Sequence, residues 1–335
     1  MPFFSIVIPT YNRPQCVLSR VGELLPQLGE GVELVIIDNC SPIVVETLVS
    51  ENFPEVVGKV RYIRNQVNVG GNANVCRCFE VGAFDWMWIL GDDDHVLPDA
   101  VANILGEISA QVSVGSLCGF NFSTGLLEYP EAKEFDNLND YCGFSLAPEH
   151  FGNALFISSC VYQSAIARRH LSYAYQSMGS CAPQMVIVLR SILNGCLWRT
   201  STRRIVDWQP PPQGEHWNTF YLAAGLPGLI DVPGCSRAVM DNFHGGLGTT
   251  LWRPLLKGGF QMCLFNDDYS SKYWVILFTR LRRLLRGPNR IKLEMLHLVA
   301  LACWRLPGFK TLLVCVFRAL RLSTPFDFKA GLNRI

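Results

Sequence analysis

The feature that most constrains this chain is a repeating pattern in its first 120 residues: short runs of β-branched and aromatic residues, each emptying into a polar turn and then a stretch of helical periodicity. Residues 5–9, 33–38, 59–64 and 86–90 read as strands, with 112–121 a fifth. Residues 14–25, 42–51, 72–84 and 98–108 read as helices. Three of these begin at a proline, whose missing N–H costs nothing in a first helical turn. The strand runs are apolar almost throughout rather than alternating, which points to strands covered on both faces. The chain therefore predicts an α/β fold with a mostly parallel sheet wrapped by helices. Further on, residues 157–162 and 198–206 read as strands and 183–193 as a helix, before the stop at Pro210, Pro211 and Pro212. This stretch is expected to complete the sheet.

An open α/β sheet binds its ligands at the carboxyl ends of its strands, so the residues just past each strand matter most. The run Trp86-Met-Trp-Ile-Leu-Gly-Asp-Asp-Asp94 delivers three adjacent carboxylates from an apolar strand. Three such groups repel one another unless they share a cation. Hard divalent ions take oxygen ligands of this kind, with Mg²⁺ often using one or two carboxylates plus substrate phosphates. The plainer alternative is a solvated acidic turn capping the next helix. The first strand empties into Pro9-Thr10-Tyr11-Asn12-Arg13, a loop able to hydrogen-bond a ribose and stack or clamp a base. The second ends in Asp38-Asn39. After the third, Asn65, Asn68, Gly70, Gly71 and Asn72 form a turn whose backbone can approach a ligand closely. Each piece alone reads equally as a turn or a cap; their order as a set points to one crevice.

That set, Ser5-Ile-Val-Ile-Pro-Thr-Tyr-Asn-Arg13, Val35-Ile-Ile-Asp-Asn-Cys-Ser41, Asn68-Val-Gly-Gly-Asn72 and Trp88-Ile-Leu-Gly-Asp-Asp-Asp94, resembles the family 2 glycosyltransferases of GT-A fold, in particular bacterial enzymes that build O-antigen or lipooligosaccharide. The resemblance covers residues 4–110 and fades beyond them to a general similarity around Ile157-Ser-Ser-Cys-Val-Tyr162. It implies a Rossmann-like mixed sheet flanked by helices over residues 1–215, with a nucleotide half (1–110) and an acceptor half (111–215). It also implies inverting transfer from a nucleoside diphosphate sugar to a lipid-linked or growing glycan. Pro9, Thr10, Tyr11 and Arg13 would line the nucleoside pocket, Asp38 would contact the base, and Asn68 and Gly70 would flank the ribose. Asp92 and Asp93 would face the nucleotide sugar, and Asp94 with Asp92 would hold Mn²⁺ or Mg²⁺.

One element of the family pattern is missing. The general base usually opens a helix after the middle strands, and here that stretch reads Gly179-Ser-Cys-Ala-Pro-Gln184, without a carboxylate. Asp207, Glu215 and Glu149 are the substitutes, with His150 and His216 as imidazole alternatives. His244, in its glycine-rich setting, could touch phosphate, although a plain loop is the simpler reading. Two other classes compete with transfer. A sugar nucleotidyltransferase usually has a Gly-rich loop after the first strand, and residues 9–14 contain no glycine. A non-catalytic glycan- or nucleotide-sugar-binding scaffold would account for the missing base.

Residues 216–335 read as a helical, basic appendage. Residues 257–335 hold 14 Lys and Arg against 4 Asp and Glu, and the preceding 256 hold 15 against 24. The longest uncharged apolar run there, 295–304, is too short to cross a bilayer. Basic stretches interleaved with Trp and Leu suit a membrane surface; a helical subdomain or subunit interface is the alternative, and an open nucleic-acid platform is not displayed. A mean hydropathy of +0.20 with only 17% charged residues also anticipates some apolar surface. The first residues lack a basic segment and cleavage site, so the chain is read as cytoplasmic, at the inner face of the inner membrane. The 13 cysteines, without CxxC pairs, read as buried thiols.

Overall fold

A computed structural model describes residues 4–56, 58–110, 116–208, 225–243, 268–306, 308–309 and 311–312. The first half alternates β1 (Phe4–Thr10), α1 (Pro14–Leu24), β2 (Val32–Asp38), α2 (Val45–Asn52), β3 (Val60–Arg64), α3 (Gly71–Val81) and β4 (Trp86–Ile89). Next come β5 (His95–Val96), α4 (Ala100–Ala110), β6 (Leu117–Thr124), β7 (Glu134–Phe135), α5 (Leu138–Ser145), α6 (Pro148–Leu155) and β8 (Cys160–Gln163). The body closes with α7 (Ser164–Arg169), α8 (Leu171–Gln176), α9 (Pro183–Leu193) and β9 (Leu197–Asp207). The sheet order is β3-β2-β1-β4-β8-β6-β9-β5, with β7 also paired to β9. β3, β2, β1 and β4 run parallel, whereas β8 lies antiparallel to both β4 and β6. The expected mixed sheet is therefore present.

The period of two explains why the strands are apolar throughout. Val7, Val35, Ile37, Met87 and Ile89 face one core with Phe79 of α3 and much of α9. Their alternates Ile6, Ile8, Leu34, Ile36, Trp88 and Leu90 face another core with α1, α2 and α4. Successive strand side chains point to opposite faces, and here both faces are covered.

Several boundaries differ from the sequence reading for identifiable reasons. Only α1 among the three proline-opened helices of the first half has its proline at the first turn; α2 starts at Val45 because the Ser41 N–H is held by the Asp38 carboxylate at 2.8 Å. α3 ends at Val81, not residue 84: Arg168 donates to the carbonyls of Phe79 and Gly82, and Arg61 donates to that of Val81, serving the open end of the helix. Residues 157–159 form a 3₁₀ turn before β8, with the Ser158 carbonyl taken by Trp88 Nε1 at 2.7 Å. The strand expected at 112–121 is β6, shifted to Leu117–Thr124. The helix at 183–193 matches its expected bounds.

Beyond the sheet, a 3₁₀ segment (Leu226–Asp231) and a helix (Ser236–Phe243) pack against the α5 and α9 side. The helices Asp268–Leu284 and Gly287–Arg305 form a pair with its own core of Trp274, Leu277, Phe278, Leu281, Leu285, Leu293 and Ala300. Arg280 and Arg283 tie the pair to Asp231 at 3.2 and 2.8 Å, and Leu284 enters the main core. Among the described residues no helix is long and apolar enough to cross a membrane. The described cysteines remain thiols, and burial pushes that of Cys76 up to about 12, so it is inert packing.

Candidate functional site

The chain runs outward from β1 to β2 and β3, then returns to lay β4 against the other side of β1. The strand order thus reverses between β1 and β4, the kind of position at which open α/β sheets bind their ligands, outside the carboxyl ends of the strands. The register sets Thr10, Asp38 and Arg64 side by side at one level. Backbone bonds extend that alignment past the strand ends, with Asn39 N–H on the Thr10 carbonyl at 2.9 Å and Asn65 N–H on that of Asp38 at 2.8 Å.

The acidic run fills this switch point. The Thr10 hydroxyl donates to Asp92 Oδ2 at 2.6 Å, and Arg13 lies 3.0 Å from Asp92 Oδ1 and 2.7 Å from Asp93 Oδ2. The Ser158 hydroxyl donates to Asp94 Oδ2 at 2.5 Å and accepts the Gly91 N–H at 2.8 Å. From below, Arg20 donates to the Asp94 carbonyl, and Glu23 joins Arg20 at 2.6 Å to the Val96 N–H at 2.8 Å. A Cβ at Gly91 would sit 2.5 Å from Asp94 Oδ2, so a larger residue there would displace that carboxylate from Ser158. Asp92 and Asp94 are 5% and 6% exposed. Burial pushes the Asp92 carboxyl up to about 6 against the opposing pull of Arg13, and burial pushes Asp94 up to about 7 against the Ser158 hydrogen bond.

The remaining sequence candidates surround this centre. Pro9 is half-buried in β1 just before buried Thr10, and Tyr11 is 40% exposed beside Asn12, whose left-handed φ of 53° is held by its N–H on Ser41 Oγ at 2.9 Å. Asp38 is buried, with one oxygen on the Ser41 N–H and the other on Arg64. Asn68 accepts from Asn39 Nδ2 at 2.7 Å and from the Gly70 N–H at 2.8 Å, while Gly70 caps α3 at a φ of 85°. Asp207 closes β9 directly opposite His95, one residue past the acidic run, and is bound by Arg204. Glu149 stands exposed in the first turn of α6, and His150 stacks on Phe144 at 3.9 Å. Glu215, His216 and His244 lie outside the described residues. Gln184, where the family pattern would place an acid, donates from α9 to the Leu155 carbonyl at 2.8 Å.

The sequence alone does not single out Ser158, Arg20 or Glu23. Only the Ile157–Tyr162 similarity hints at Ser158. Arg20 and Glu23 look like ordinary helix charges until α1 is laid under the turn. Among the described residues, no three carboxylate, imidazole or thiol groups form a ready-made metal cage. The donor set nonetheless suits a hard cation that keeps part of its shell for phosphate: three adjacent carboxylates, a glycine opened for one of them, and a guanidinium standing as a cation on two of them.

Comparisons with known proteins bear on this geometry. Residues 5–162 match the model of glycosyl transferase family 2. An uncharacterized glycosyltransferase of Haemophilus influenzae is 30% identical over 110 residues, 33% of this chain and 36% of the relative. Abequosyltransferase RfbV of Salmonella typhimurium is 28% identical over 117 residues, 33% of this chain and 34% of the relative. The chain thus matches about a third of the length of these curated relatives. Among solved structures, S. aureus TarS 1-349 in complex with UDP superposes with a TM-score of 0.58 at 13% identity, covering 97% of this chain and 94% of that one. The mannosyltransferase PcManGT of Pyrobaculum calidifontis, solved with GDP-Man and Mn²⁺, gives 0.52 at 13% identity over 92% and 88%. At such identity these likenesses establish the fold. The motifs at the β1/β4 switch point thus fall within residues 5–162, the part of the chain that is similar to glycosyl transferase family 2, on a fold shared with TarS and PcManGT.

Proposed function

We propose that this protein is an inverting glycosyltransferase, moving a sugar from a nucleoside diphosphate sugar to a lipid-linked or growing cell-surface glycan. The observation that carries this reading is the buried acidic run at the β1/β4 switch point, in reach of Thr10 and Arg13. The binding of UDP by TarS and of GDP-Man with Mn²⁺ by PcManGT, on the same fold, supports it.

Thr10, Tyr11 and the loop around Asn12 receive the nucleoside. Asp38, whose oxygens each keep a second lone pair, accepts from the base, and Asn68 and Gly70 border the ribose. Asp94 and Asp92 would hold a Mn²⁺ or Mg²⁺, which would supply positive charge against the departing diphosphate. Ser158 and Gly91 keep Asp94 turned inward. The acceptor hydroxyl gives its proton to a carboxylate and attacks the anomeric carbon opposite the diphosphate; the glycosidic bond forms as the bond to the diphosphate breaks. Asp207 is the candidate base that the β5–β9 register favours, since it lies beside the residue following Asp94.

The exposed face of the last described helix supports a location at the membrane. Ile291, Met295 and Leu298 are more than 60% exposed and recur at i, i+4 and i+7, opposite the packed Leu293 and Ala300. Arg290, Lys292 and Arg305 of the same helix outnumber its one acid, Glu294, which pairs with Arg282 at 2.8 Å, so the face suits anionic lipid on the cytoplasmic leaflet.

Incubation with Mn²⁺, a panel of nucleoside diphosphate sugars and a lipid-linked acceptor extract is expected to release nucleoside diphosphate and give a glycoside of anomeric configuration opposite to the donor. Release of pyrophosphate would indicate a nucleotidyltransferase instead. Donor binding with no turnover against any acceptor would favour a binding protein, the reading suggested by the acid-free start of α9.

A further inference from the structure

Arg13 stands between the turn after β1 and the first residue of α1. Its guanidinium bridges Asp92 Oδ1 and Asp93 Oδ2, while Thr10 takes the other Asp92 oxygen and Ser158 takes Asp94 Oδ2. Two oxygens of the acidic run, Asp92 Oδ1 and Asp93 Oδ2, are therefore already serving an internal cation. This is no loose surface pairing. Asp92 is buried, Asn12 is locked in the left-handed region by Ser41, and Pro14 fixes the chain on the other side of Arg13. We propose that Arg13 is a resident counter-cation: it neutralises Asp92 and Asp93 while the donor is absent, competes with the divalent ion for their oxygens, and transfers its guanidinium to the diphosphate when ion and donor enter together.

The chemistry of the two cations supports the exchange. A guanidinium is weakly hydrated and forked, and it fits phosphate oxygens as well as carboxylate pairs. A divalent ion a few ångströms away repels it, so both cannot sit on Asp92 unless new negative charge arrives. The diphosphate brings that charge. Metal alone then binds weakly, and metal and diphosphate each raise the affinity of the other. The inference rests on the metal–diphosphate reading proposed above and adds to it the order in which the site fills.

The test is titration of the full chain with Mn²⁺, following the free-ion electron paramagnetic resonance signal with and without inorganic pyrophosphate, for the wild type, Arg13→Met and Arg13→Lys. Without pyrophosphate, Arg13→Met is expected to bind Mn²⁺ about tenfold or more tightly than wild type, because a nearby cation is gone and two oxygens are released. Arg13→Lys, which keeps the charge but not the fork, falls between them and carries the test should Arg13→Met not fold. Pyrophosphate is expected to tighten Mn²⁺ binding more in the wild type than in Arg13→Met. Equal or weaker Mn²⁺ binding by the variants would overturn the counter-cation role alone. Absence of Mn²⁺ binding by all three proteins, even with pyrophosphate, would overturn the metal reading and this role with it.

Discussion

Asp92 and Asp94 show what burial does to a carboxyl group that must later carry charge. With values near 6 and 7 against about 4 in the unfolded chain, the folded protein keeps protons that the unfolded chain has lost. Their stabilising contribution is therefore complete below about pH 4 and is lost as pH rises through 6 and 7. Metal-free protein is expected to lose on the order of a few kcal/mol from these two groups between about pH 4.5 and 7.5. Thermal unfolding across that range checks it, with Asp94→Asn giving the flatter profile; identical pH profiles would contradict it. Ser158→Ala removes the hydroxyl linking Asp94 to the Gly91 N–H and is expected to cost about 1–3 kcal/mol and to weaken Mn²⁺ binding. Denaturant melts and metal titration read the two effects separately. The acids were legible because an apolar strand ended in them. Ser158 was not, because its partner lies 64 positions away in sequence and only the pairing of β4 with β8 joins them.

At the scale of elements, the parallel half was legible because its strands are covered on both faces and read as continuous apolar runs. The antiparallel insertion of β8 between β4 and β6 was not: four residues give no periodicity, and their position is set by contacts distant in sequence. Gly119 makes that insertion sterically possible. A Cβ there would collide with both the Val161 carbonyl oxygen and the Trp198 ring, and neither a sheet backbone nor a buried indole can give way. Gly119→Ala is expected to destabilise the protein by about 3 kcal/mol or more, read from the denaturant midpoint. A change under about 1 kcal/mol would contradict this packing.

For the whole molecule, the asymmetry of charge along the chain announced the C-terminal helix pair but not its attachment. Asp231 binds both Arg280 and Arg283, so part of the basic excess is neutralised inside the fold. Removing the tail would therefore disturb the body as well, and point substitution isolates the membrane question. Met295→Asp with Leu298→Asp is expected to lower co-sedimentation with anionic liposomes by about tenfold while preserving the thermal transition. Unchanged co-sedimentation would reject the lipid-facing role.

The central claim is that the acidic run at the β1/β4 switch point binds the donor diphosphate through a divalent cation, and donor binding tests it most directly. Thermal shift with UDP-, dTDP-, GDP- and CDP-sugars, with and without Mn²⁺, is expected to single out one nucleotide whose stabilisation requires the metal. Asp94→Ala is expected to lose that shift. A metal-dependent donor shift of full size in Asp94→Ala would contradict the claim.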